Sequence, residues 1–88
     1  DYIAKGWCQA AYARDSHGLW VRPISDDAVS WCLVGSVLTL PIPLQGPVLD
    51  VLEGIIKHPL ADWNDKPHRT QADVLDVLLQ AEREVGIS

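Results

Sequence analysis

Two cysteines are the residues of this chain best suited to covalent or metal chemistry. Each follows a tryptophan: Trp7-Cys8 in GWCQAAYARD and Trp31-Cys32 in SWCLVGSV. Thiolates bind zinc, form disulfides and act as nucleophiles. Zinc asks for four ligands, usually from two close pairs. Neither cysteine lies in a Cys-x-x-Cys, and neither has a histidine within five residues. His17, His58 and His68 are scattered, each beside a turn or a proline. A disulfide needs Cβ atoms within about 4.5 Å, and cytosolic thiols usually stay reduced. A nucleophile needs a neighbouring base and partial exposure, whereas Cys32 lies in a run that is apolar on nearly every side. Packing is the preferred reading, with a small thiol and a large indole together at each seam between a hairpin and a central helix. A Cys2His2 site assembled from distant parts, a Cys8–Cys32 disulfide and a catalytic thiol are weaker competitors. No metal, cofactor or catalytic residue is assigned.

The stretch DWNDKPHRT, Asp62 to Thr70, is the second candidate. It places Asn64, Asp65, His68 and Arg69 just before a helix that Thr70 caps. Free backbone N–H groups at a helix start favour an anion, and a guanidinium adds a fork of donors. The ligand reading is a phosphate or carboxylate held by Asn64, Asp65, His68, Arg69 and Thr70, with Arg14 as a further donor. The structural reading is an Asx-type turn at Asn64 and Asp65, a cap at Thr70 and an indole plug at Trp63. The structural reading is preferred. In ARDSHG, Asp15, Ser16 and His17 are neighbours in a tight turn and point different ways, so they cannot form a triad. That segment reads as a solvated hairpin tip. Trp20 beyond it is expected to be partly exposed, which would mark a binding surface.

The elements that position these residues follow from periodicity and caps. DYIAKG reads as the last turn of a helix closed by Gly6, so the chain is expected to continue upstream in a first helix. Residues 7–23 alternate around a Gly-containing turn and read as a short β-hairpin-like segment, although the Ala-rich first arm would also suit a turn of helix. Ser25 as cap with Asp26 and Asp27 in the first turn predicts a buried helix over 26–38. Pro41, Pro43 and Pro47 predict an extended connector, followed by a helix over 47–57 that starts at Pro47. Its stripe is Val48, Val51, Leu52, Ile55 and Ile56. Thr70, with Asp73 three residues on, predicts a capped helix over 71–85 that Gly86 stops. Its stripe is Val74, Leu75, Leu78, Ala81 and Val85. The fold class is mainly α with minor β, in one small domain spanning 1–88.

The bulk numbers exclude several function classes. Net charge is −5, and no two of the seven Lys and Arg are adjacent. Nucleic-acid binding needs clustered cations, so nucleic acid is not an expected partner. The longest apolar stretch, Trp31 to Pro43, is interrupted by Gly35, Ser36, Thr39 and prolines. It falls short of the ~18 residues a spanning helix needs, so no membrane partner is expected. Two cysteines are too few for a secreted disulfide framework, and the cytoplasm is the expected compartment.

Three segments in order carry a resemblance: Trp7-Cys8 with its Ala-rich arm, Ala28 to Gly35, and Trp63 to Thr70. Together they resemble a family of small bacterial proteins of unknown function. The resemblance spans most of the chain but finds no motif in residues 39–57. It implies a bacterial, cytosolic, stand-alone domain and no particular activity.

The absence of catalytic spacing favours a non-enzymatic interaction or structural module that self-associates. Four tryptophans, together with Leu38, Leu40, Ile42 and Leu44 in the connector, need cover. A domain this small leaves much apolar surface outside its core. A homodimer is the expected partner state. The alternative is a small anionic-ligand-binding or catalytic domain that uses the Asp62–Thr70 loop and Arg14.

Overall fold

A computed structural model describes residues 2–86. The order is α1 (Tyr2–Lys5), β1 (Ala13–Arg14), β2 (Ser30–Trp31), α2 (Leu33–Val37), α3 (Ile42–Ile56), α4 (Leu60–Asn64) and α5 (Gln71–Val85). The fold is mainly α with minor β, as the sequence predicts. Helices α3 and α5 form the main packed pair. Val48, Leu52 and Ile56 of α3 are buried, as are Val74, Leu78 and Ala81 of α5. Ile3, Trp31, Leu33 and Val37 complete the same core.

Helix α5 follows the sequence closely. The Thr70 hydroxyl accepts from the Asp73 N–H at 3.1 Å, and the Asp73 carboxylate accepts from the Thr70 N–H at 3.2 Å. This reciprocal capping box satisfies two amides at the helix start. Gly86 ends the helix with φ 92°, a left-handed conformation that glycine adopts without Cβ strain.

Four expectations need correction. The helix predicted over 26–38 is confined to Leu33–Val37. Residues 22–28 form turns, in which the Ser25 hydroxyl accepts from the Asp27 N–H rather than capping a helix. Trp31 is claimed by strand pairing on both sides. It pairs antiparallel with Ala13 and parallel with Trp7, so its N–H bonds to Gly6 O and its carbonyl takes the Cys8 N–H. A helix would need that N–H for its own ladder. Cys32 therefore sits at the N-cap of α2, not within a helix.

The hairpin predicted over 7–23 is also redistributed. Residues 7–8 and 13–14 pair with 30–31, not with each other. The tight hairpin is only the Arg14–Trp20 bridge, closed by Asp15, whose carboxylate accepts from the N–H groups of His17 and Leu19.

The predicted extended connector is helical from Ile42 onward, and α3 begins five residues before Pro47. Pro43 lies in the first turn, where a missing N–H costs nothing. Pro47 forfeits one bond, to the Pro43 carbonyl. The compensation is burial: Leu44, Val48, Leu52 and Ile56 recur every four residues, so the early turn extends the buried stripe. Leu38, Leu40 and Leu44 are half-buried by this arrangement, and Ile42 stays exposed. The polar stretch before α5 is likewise partly helical, since Leu60–Asn64 form α4.

Two glycines let backbones touch. A Cβ on Gly35 would overlap the Tyr12 carbonyl, and one on Gly6 would overlap the Val29 carbonyl. Gly54, inside α3, has nothing within 4 Å of such a Cβ. Gly35→Ala should destabilise by about 2–3 kcal/mol through overpacking. Gly54→Ala should stabilise by about 0.5–1 kcal/mol through helix propensity. Urea denaturation of both variants checks the pair, and equal effects would contradict this account.

Candidate functional site

The three segments singled out in the sequence converge on Asn64, the last residue of α4, which has no exposed surface. Its Oδ1 accepts from the Trp7 indole N–H at 2.8 Å and from the Leu33 N–H at 3.0 Å. Its Nδ2 donates to the Cys8 carbonyl at 3.2 Å and to Asp65 Oδ1 at 3.0 Å. Residues 6–8 and 31–33 begin as a parallel ladder, whose next rung would run from the Leu33 N–H to the Cys8 carbonyl. The Asn64 amide occupies that rung, its oxygen accepting from Leu33 and its nitrogen donating to Cys8.

The surrounding residues secure the same loop. Gln9 donates to the carbonyls of Asn64 and Lys66, both at 2.9 Å. Asp65 Oδ1 accepts from the Ala10 N–H at 3.0 Å. Ala10 has φ 63°, a left-handed conformation that costs a non-glycine residue roughly 1 kcal/mol. The bond to Asp65 helps hold it there.

The predicted ligand residues are therefore separated by use. Asn64 and Asp65 are spent on the strands, and Thr70 on the α5 cap. The Arg14 guanidinium donates to the carbonyls of Gly18 at 2.7 Å and Gln9 at 3.1 Å. His68 is exposed. Arg69 lies over the Trp63 ring at 3.8 Å and donates Nε to the Trp63 carbonyl at 2.9 Å. Gln9, Lys66 and His58 were not singled out by sequence. Gln9 carries no motif signal, and the other two are separated by seven residues of chain.

Both cysteines are buried free thiols. The Cys8 thiol donates to the Ala11 carbonyl at 3.5 Å, and Cys32 Sγ accepts from the Gly35 N–H at 3.2 Å. Burial pushes both thiols above their ordinary value of 9.0. The Ser30 hydroxyl opposes this at Cys8, and the Gly35 N–H opposes it at Cys32. Neutral thiols are poor nucleophiles. Beside Cys32 a cavity of about 280 Å³ is lined by Tyr12, Trp20 and Asp65. Among the described residues, no helix is long and apolar enough to cross a membrane.

A family model matches residues 1–84. The chain belongs to DUF6197, a family of unknown function. No curated protein and no solved structure matches it. In this DUF6197 chain both Trp-Cys pairs meet the WND stretch through one buried amide, so the three segments form a single structural unit.

Asn64→Ala would leave the Leu33 N–H, the Trp7 indole and the Cys8 carbonyl without partners. A loss of about 3–5 kcal/mol is expected, against about 1 kcal/mol for the exposed Asp65→Ala. Chemical denaturation measures both, and a mild Asn64→Ala would refute the splice. A second expectation concerns pH. The thiols' folded pKa values lie above their unfolded ones, so unfolding releases protons at high pH. Their contribution is intact below 9.0 and is lost as pH rises through the folded values. Unfolding free energies measured on both sides of pH 9.0 should fall less steeply in the Cys8→Ala/Cys32→Ala double variant than in the parent.

Proposed function

We propose that this domain is a non-enzymatic interaction module that pairs with a second copy of itself through the surface formed by residues 12–29. One observation carries the reading. Among the described residues, five of the eight exposed large apolar side chains are Tyr12, Leu19, Trp20, Ile24 and Val29. Leu19, Trp20 and Ile24 are 64%, 62% and 73% exposed. These five fall within one stretch of chain, Tyr12 and Trp20 lining one cavity and Ile24 and Val29 another. Exposed apolar groups mark association surfaces, and Trp and Tyr are favoured as buried anchors there. The proline-rich segment contributes only Ile42, so it adds little to that face. A bacterial cytoplasm as the setting rests on the resemblance of the three segments and on the low cysteine count.

The alternative, an anionic ligand or catalysis at Asp62–Thr70 with Arg14, finds less support. Arg14, Asn64, Asp65 and Thr70 spend polar atoms on internal bonds. Its best remaining element is Arg69.

Two protomers of charge −5 repel, and the proposed contact is apolar. Added salt should therefore strengthen the dimer. Sedimentation equilibrium at micromolar concentration should give a dimer mass that persists at higher salt. Leu19→Ser/Trp20→Ser should sediment as a folded monomer, because both side chains already face water. A monomeric parent protein, or a dimer indifferent to this substitution, would overturn the proposal.

A further inference from the structure

Basic side chains gather at a corner of this acidic chain. A cavity of about 470 Å³ lies between the end of α3 and the turn before α5. His58, Lys66 and Arg69 line it, beside Ile56 and Trp63. Lys57 and His58 line the adjoining cavity together with the carboxylate of Glu53. Asp62 is the one carboxylate in the first lining. Among the described residues, neither the Lys66 ammonium nor the His58 ring makes a hydrogen bond or ion pair. Acids outnumber Lys and Arg by twelve to seven in the chain, so Lys66 and Arg69 gathered on one cavity need a reason.

Arg69 supplies the directional part. Its side chain is fixed by the stack on Trp63 and by the Nε bond to the Trp63 carbonyl. Its backbone is fixed by the N–H bond to the Lys66 carbonyl at 3.0 Å. The two Nη nitrogens have no partner among the described residues. With Nε occupied, the end-on edge remains, and its two parallel N–H groups match two oxygens of one oxyanion. The ordering of a long side chain, a usual cost of binding, has already been met in the unbound protein.

We propose that His58, Lys66 and Arg69 form a binding site for a small ligand bearing a phosphate group. The phosphate would sit end-on against the Arg69 guanidinium, with Lys66 as a second charge and the ligand's body along Ile56 and Trp63. Two cationic side chains around one group suit a dianion better than a carboxylate, which gains from the Arg69 fork but carries half the charge. The site is independent of self-association through residues 12–29, and neither proposal needs the other.

Amide and Arg69 Nε–H NMR signals, followed during titration with inorganic phosphate at constant ionic strength, test the site. Saturable shifts confined to the amides of Lys57, His58, Lys66, His68 and Arg69 and to the Arg69 Nε–H are expected, with acetate weaker. Lys66→Glu should weaken phosphate binding about tenfold, the loss of one charge-assisted contact. Arg69→Gln should weaken it further. Lys66 is exposed, so Lys66→Glu carries the test if Arg69→Gln unfolds. Arg83→Glu, which changes the same charge on α5 away from the cavity, should leave binding unchanged. Linear or scattered shifts, acetate as tight as phosphate, or an Arg83→Glu effect equal to that of Lys66→Glu would overturn the proposal.

Discussion

The side-chain amide of Asn64 is the constraint on which the rest of this small fold depends. Strands of two residues cannot hold a sheet together, and the parallel contact between residues 6–8 and 31–33 is left open after one bridge. An amide side chain has the same donor and acceptor as a peptide group, so it can stand in for the missing rung. Its burial makes the arrangement all-or-none. A buried amide with four partners stabilises, and the same amide with two would cost more than an alanine. Because Asn64 ends α4, the splice also fixes where α4 sits, and with it the turn that leads into α5.

That use of polar groups limits the chemistry. The residues with the most reactive appearance in the sequence are those most committed to structure. Cys32 caps α2, Arg14 ties the hairpin tip to Gln9, and Asp65 steadies a left-handed alanine. Both thiols are held neutral by burial. What remains exposed is surface: apolar side chains between residues 12 and 29, and a cavity lined by Lys66 and Arg69. The two differ in kind, since one offers area without direction and the other offers a directed fork.

The glycines show how tightly the first half of the chain is drawn together. Gly6 and Gly35 sit where the carbonyls of Val29 and Tyr12 would meet a Cβ. Both neighbour a Trp-Cys pair, and both contacts help bring the pairs within reach of Asn64. Helices α3 and α5 supply the apolar mass, and these contacts hold the irregular half together beside it.

The sequence by itself determined the elements whose signals are local. The capping box and the glycine stop define α5 to the residue, and the stripes of α3 and α5 name their buried side chains, because both signals lie within a turn or two of helix. Helix class, buried thiols and an exposed Trp20 were legible for the same reason. The tertiary structure alone decided the rest. Ser30 and Trp31 carry helix-like apolar neighbours, yet became a strand because Gly6, Cys8 and Ala13 compete for their backbone. Pro41 to Pro47 carry local signals against a helix, yet α3 starts at Ile42 because Leu44 gains burial on the same stripe. Asn64 reads as a turn residue, and its role is set by groups 31 to 57 positions away. Arg69 stands out in the sequence, but nothing in the spacing of His58 and Lys66 shows that they line the same cavity. Local propensities are worth tenths of a kcal/mol per residue. Burial and a satisfied buried amide are worth several, so where the two disagree the distant contacts prevail.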